Sequence, residues 1–283
     1  MVLYKYASGE SGIKVLQDLK LKVTPPNEFN DPFELTPRSK FTITLNDMLN
    51  RVRNCPEYYR GVFEDMKKDG HSQTFEQFIE TLPKVLPIKF REFRNLMRKK
   101  LVEMDMQAIN EASQKLGIFC VSKKANDIRM WSHYANHHKG IAIGLDLSKA
   151  GGALKGQFGK VKYRKPRRGI DPWLMSSNPE WSKQVTETIF TKGQEWIHES
   201  EYRRVFRLAD LTHAMPDQKG NRHYLLDIGG DAIREIILGC RITPSDETVI
   251  VNELQRRPKT FGHVKLFRCK RHDTKYELEI LPI

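Results

Sequence analysis

Hydrophobic positions recur along the chain with two different periods. VLYKYAS (2–8) alternates and predicts an opening strand. In SGIKVLQDLKLKVT (11–24), Ile13, Leu16 and Leu19 fall at helical spacing, which predicts a short helix with Ser11 as N-cap. TPPNEFNDPFE (24–34) holds three prolines and two asparagines, so it predicts an ordered loop. From about 46 to 116 the period is helical, with Phe90, Phe93, Met97, Leu101 and Met104 stepping by three and four into one apolar stripe. That block predicts an all-helical insertion. LGIFCVS (116–122) and IAIGLDL (141–147) predict buried strands, and NDIRMWSHYANHHKG (126–140) between them predicts a helix capped by Asn126 or Asp127 and stopped by Gly140.

GKVKYRKPRRG (159–169) begins as a strand and ends as a basic loop, and the linker DPWLMSSNPEW leads to a helix near 182–193. Further strands are expected at 201–208, 223–228, 232–240 and 264–269, with KYELEILPI as the last. The succession predicts an α+β fold: one domain over 1–283 with a mostly β core, a few packed helices and the helical insertion.

Composition adds a charge and a compartment. Over 283 residues, 39% are hydrophobic and 29% charged, the profile of a folded soluble protein. MVLYKYASGE lacks a basic leader followed by an apolar run, and no stretch approaches the roughly 18 apolar residues of a membrane span. A cytoplasmic protein with no membrane partner is the expectation. Cys55, Cys120, Cys240 and Cys269 form no CxxC pair, so reduced thiols are expected. Lys and Arg total 48 against 35 Asp and Glu, a formal charge of +13. That balance favours an anionic partner, nucleic acid (RNA or DNA) first, although it also serves solubility.

No phosphate loop, GxGxxG or HExxH motif occurs. His133 and His137 would share a helical face, but no third ligand can be named and no metal is assigned. MWSHYA concentrates Trp131, His133 and Tyr134; core packing accounts for Trp131 at least as well as a site does, whereas His133 and Tyr134 carry polar ends. In EWIHESEYRRVF (195–206), Glu199 and Glu201 stand two apart at the mouth of a strand and would project to one face, with Arg203 next in the row. Such pairs also arise by chance. Two carboxylates suit a sugar ring that develops positive charge, while cations hold a substrate's phosphates. For a nucleic-acid backbone the candidates are Lys160, Lys162, Arg164, Lys165, Arg167 and Arg168, helped by REFRNLMRKK (91–100), and a solvated loop explains them equally well.

LYKY, FNDPFE, FCVSxxxNDIRMWSHYAxxHKGIAIGLD, WxxExEYR and IREIILG together resemble a bacterial domain family of unknown function over most of the chain outside the insertion. The order of motifs also resembles the ADP-ribosyltransferase superfamily, although FCVS stands where a Ser-Thr-Ser motif is usual. That resemblance implies an ADP-ribosyltransferase-like fold using NAD as co-substrate. It places Tyr4, Lys5 and Tyr6 against NAD, Ser122 at the middle-motif serine and Tyr134 on the nicotinamide. It makes Glu201 the catalytic glutamate on the ribose, with Glu199 orienting the acceptor. Asn30 and Asp31 would touch ribose or nicotinamide, or simply form a turn. The implied function is mono-ADP-ribosylation of a macromolecule, nucleic acid before protein, as in a bacterial toxin or antiviral effector with a possible neutralising protein partner. The rival readings are a non-enzymatic nucleic-acid-binding module and a metal-dependent nuclease.

Overall fold

The computed structural model describes residues 1–36, 38–40, 44–149, 154–167, 169–170, 179–213 and 223–283. The fold is α+β, and the chain divides into two compact units: residues 1–35, 109–167 and 189–283 form the first, and 36–108 with 168–188 the second.

The first unit is built on an eight-stranded mixed sheet. Its strands are β1 (Val2–Ala7), β2 (Leu116–Ser122), β3 (Ile141–Asp146), β4 (Gly159–Lys160), β5 (Glu201–Arg207), β6 (Ile233–Leu238), β7 (Lys265–Arg271) and β8 (Leu278–Pro282). Their order across the sheet is β8-β7-β6-β3-β1-β2-β5-β4, antiparallel except for the parallel pair β6 and β7. The unbroken apolar run of β3 is explained by its place, because five of its six residues are buried.

Alternation along the strands sends two sets of side chains to two faces. Leu3, Phe119, Val121, Ile143 and Ile236 join one core, covered by the helices Gly9–Asp18 and Pro244–Arg256 through Leu16 and Ile250. Tyr6, Ala142, Ile237 and Cys269 join the other, covered by the helix Ile128–Tyr134 through Met130 and Trp131. Among the described residues no helix is long and apolar enough to cross a membrane.

Several elements differ from the expectations. The first helix ends at Asp18, where Leu19 turns left-handed (φ 52°), and Lys20–Val23 continues as a strand because Leu21 and Val23 alternate inward with Lys20 and Lys22. The helix expected to 193 ends at Ile189, and Thr191–Gly193 pairs in parallel with Lys162–Arg164. The helix Pro244–Arg256 was not foreseen, although Thr243 as N-cap and Pro244 at its start signal it.

Of the stretch 46–116, residues up to Ala108 belong to the second unit and are mainly helical, with Leu45–Asn54, Arg60–Lys68 and the helix Phe75–Lys115, whose residues from Ile109 on are counted with the first unit. Thr44 and Asp47 close a capping box on the first of these, and Val52, Tyr59, Phe63, Phe78 and Leu82 form a small core. Of the expected apolar stripe, Leu101 is buried and Phe90 and Phe93 are half-buried.

Candidate functional site

The site begins where the sheet splits. Among the described residues β1 meets β2 at one register position, Tyr4 opposite Ser122. Further along β2, Ile118 instead exchanges backbone hydrogen bonds with Thr24, at 2.8 and 3.0 Å. Between these attachments the edges part, and the Lys5 ammonium reaches across to donate to Cys120 O at 3.1 Å. A pocket of about 350 Å³ opens there, lined by Tyr4, Lys5, Tyr6, Thr24, Cys120, Val121 and Ser122. Glu28, Phe29, Asn30, Met130, His133, Tyr134, Lys192, Glu199 and Glu201 complete its wall.

Ser122 is also directly opposite Glu201 on β5. Tyr4, Ser122 and Glu201 therefore form one row across three neighbouring strands, and residues opposed in this way share a face. Gly144 keeps the β1 end of the row open, since a Cβ there would stand 3.2 Å from the Tyr4 ring and 2.5 Å from Glu235.

Glu199 reaches this face by another route than the expected strand. It ends the 3-10 turn Gln194–Glu199, and Ser200 then adopts a left-handed conformation (φ 46°) that turns the chain into β5. The turn is tied to β2, because Ser122 Oγ donates to Glu199 O at 2.6 Å and Lys123 N donates to Ser200 O at 3.0 Å. The two carboxylates converge through a sharp bend rather than through strand alternation.

Three of these wall residues, Lys192, Glu199 and Glu201, belong to a buried ion cluster completed by Glu34 and Arg203. Glu199 Oε1 accepts from Tyr134 OH and Glu199 Oε2 from Lys192 Nζ, both at 2.6 Å. Lys192 Nζ is also 3.0 Å from Glu34 and 3.8 Å from Glu201. Arg203 donates Nε and Nη2 to the two Glu201 oxygens at 2.9 and 2.8 Å, pairs with Glu34, and donates Nη1 to Ile189 O at 2.7 Å. The five charged side chains are at most 6% exposed, so desolvation governs their chemistry.

Burial pushes the Glu201 carboxyl up to about 7 and Glu199 adds to the rise, against the lowering effects of Lys192 and a hydrogen bond with Cys120. Burial drops Arg203 to about 9, opposed by Asp31. For Lys192 burial works downward, but the Glu201 and Glu199 carboxylates outweigh it and hold the ammonium above its ordinary value. Burial lowers Lys5, and burial with nearby Glu201 pushes the Cys120 thiol well above the usual range.

Of the residues singled out from the sequence, the pocket gathers Tyr4, Lys5, Tyr6, Asn30, Ser122, His133, Tyr134, Glu199 and Glu201. Two stand elsewhere. Trp131 is fully buried under the sheet, donating Nε1–H to Ala125 O at 2.8 Å and meeting Tyr6 edge to face. Asp31 is buried in its loop, where Oδ1 accepts from Phe33 N at 2.9 Å. His133 and His137 do not share a helical face, because the helix ends at Tyr134 and Asn136, His137 and His138 all turn left-handed.

The basic segment is hooked to Glu201 but does not line the pocket. Val161 N donates to Glu201 O at 2.9 Å, and Tyr163 OH accepts from Glu201 N at 2.8 Å. Tyr163 thus turns toward the cluster, so its strand neighbours Lys162 and Arg164 alternate away from it. Lys160 lies opposite Tyr202, whose ring packs on the other core. Lys165 and Arg167 are exposed, and Arg168 lies outside the described residues.

Glu34, Lys192, Cys120 and Tyr163 were missed in the sequence. The available signal was a charge inside an apolar setting, Lys192 after IFT and Glu34 between Phe33 and Leu35, since a charge drawn into a core needs partners.

No curated protein and no solved structure matches the chain. The model of a family described as a protein of unknown function (DUF2971) matches residues 130–204, a span that carries Tyr134, Lys192, Glu199 and Glu201 and supports a domain-of-unknown-function family.

Proposed function

We propose that the pocket-bearing unit is an NAD-dependent mono-ADP-ribosyltransferase that modifies a macromolecule, nucleic acid in preference to protein. One observation carries this reading: the row Tyr4, Ser122, Glu201 across three adjacent strands, at a pocket where the sheet splits. Three motifs far apart in the sequence meet there.

The residues present suit the nicotinamide and ribose end of NAD. Tyr4, Tyr6 and Tyr134 offer aromatic walls, Glu201 offers a carboxylate, and about 350 Å³ falls in the range of small-molecule sites. NAD supplies a glycosidic bond whose cleavage leaves positive charge on the ribose. Glu201, when ionised, stabilises that charge more than it stabilises the neutral ground state. Arg203 fixes the orientation of the carboxylate through two parallel hydrogen bonds. Lys192 favours its ionised form against the desolvation that opposes it. Glu199 has both oxygens engaged and holds Tyr134 and Lys192 in place.

The test is incubation of the full chain with labelled NAD and separate pools of RNA, DNA and protein. Nicotinamide release with label transferred to one pool is expected, and its loss in Glu201→Gln. Absence of NAD binding and of nicotinamide release with every pool refutes the reading. The growth arrest expected of a toxin or antiviral effector would be lost in the same variant. A non-enzymatic nucleic-acid-binding module retains one support of its own: exposed Lys160, Lys162, Lys165 and Arg167 lie off the pocket.

A further inference from the structure

Phe33 is an exposed aromatic ring on a pinned loop. It keeps 65% of its surface in solvent, while Asp31 and Glu34 beside it are buried. Phe33 N donates to Asp31 Oδ1 at 2.9 Å, Glu34 N donates to Asp31 O at 3.0 Å, and the Glu34 carboxylate is ion-paired with Lys192 and Arg203. Leu35 closes the loop in a left-handed conformation (φ 54°). The ring is presented outward by a backbone anchored on both sides of it.

Arg167 lies over this ring, its guanidinium carbon 5.5 Å from the centroid, and Arg167 and Lys165 are both exposed. Phe33 thereby joins the far end of the basic segment to the loop whose Phe29 and Asn30 line the pocket. The cations of 160–164 do not make that connection, since Lys162 and Arg164 alternate away from the cluster. An aromatic face and a guanidinium plane with neighbouring cations are the groups by which proteins hold unpaired bases and their phosphates. A base inside a duplex already has its faces stacked and cannot use them.

We propose that Phe33 and Arg167, with Lys165, form an acceptor subsite that holds an unpaired base of a single-stranded nucleic acid beside the pocket. What happens after docking rests on the transferase reading; docking itself rests on the geometry of Phe33 and Arg167.

Fluorescence anisotropy of the full chain with labelled single-stranded DNA and RNA tests this, with duplexes of the same sequence alongside. Phe33→Ala is expected to weaken single-strand binding about 5- to 150-fold, the range for one stacked base. Its exposure leaves folding intact, which circular dichroism checks. Arg167→Ala is expected to weaken binding and to lower the salt slope by about one phosphate contact. Both variants should bind NAD as the unaltered chain does. Failure of the chain to bind single strands, an unchanged affinity in Phe33→Ala, or equal losses for single strand and duplex would each overturn the subsite. So would transfer of label to a protein pool that falls in Phe33→Ala. If the chain binds no NAD but Phe33→Ala still loses single-strand affinity, the subsite stands and the transferase reading falls.

Discussion

Lys192→Met probes the buried cluster directly, because the new side chain fills similar volume and removes the ammonium charge together with its hydrogen bond to Glu199. Lys192 Nζ is 2.6 Å from Glu199, 3.0 Å from Glu34 and 3.8 Å from Glu201, all nearly without solvent. The variant leaves those three carboxylates with Arg203 as the one cation among the four remaining charged side chains of the cluster. Removing one partner of a buried ion pair costs about 3–5 kcal/mol, which corresponds to a fall in Tm of roughly 10 °C for a chain of this size. The loss has a pH signature. Without Lys192, whose charge lowers it, the folded-state pKa of Glu201 rises further above its unfolded value, so the folded chain binds more protons than the unfolded one. Stability of the variant then increases as pH falls through the folded pKa, which for Glu201 already stands at about 7 before the change. Urea unfolding followed by tryptophan fluorescence should show the largest deficit near about pH 8 and a smaller one near about pH 5. A deficit under about 1 kcal/mol, or one equal at both pH values, would refute the account of the cluster as mutually dependent charges.

Other expectations follow from single contacts. Glu201→Gln should lower the nicotinamide-release rate by about 10²–10³, the effect of losing one stabilising group at a developing charge, with the fold retained by circular dichroism. In the unaltered chain that rate should climb with pH through about 7 as Glu201 ionises, and a flat profile from about pH 5 to 9 would exclude it as the ionising group. Tyr134→Phe removes the hydrogen bond to Glu199 Oε1 and should cost about 1.5–3 kcal/mol by urea denaturation. Trp131→Ala, in the fully buried core, should cost about 3–5 kcal/mol, and a loss below about 1 kcal/mol would contradict that placement.

The row Tyr4, Ser122, Glu201 and the buried cluster mark what the sequence could and could not disclose. Each member of the row sits in a short segment with its own pattern: an alternating strand around Tyr4, an apolar run ending at Ser122, and a strand opening at Glu201. Segments of that kind are legible one at a time, and motif resemblance supplied the reason to compare them. The convergence of Glu199 was expected for a reason that does not operate, since alternation requires both residues on the strand and Glu199 precedes it. What brings it in is the left-handed Ser200, a conformation that few residues other than Gly, Asn and Asp adopt readily and that nothing in the residue type announces. Lys192 and Glu34 were hidden by the same kind of long-range dependence. A lysine in a three-residue strand and a glutamate in a proline-bearing loop each read as solvent-facing, and they become buried because each supplies the charge the other needs. Local pattern therefore located the groups that face the pocket, whereas the charges that tune Glu201 exist as a set only after 34, 192, 199, 201 and 203 are brought together. A search for such sets would start from lone charges inside otherwise apolar strands and pair them by sign.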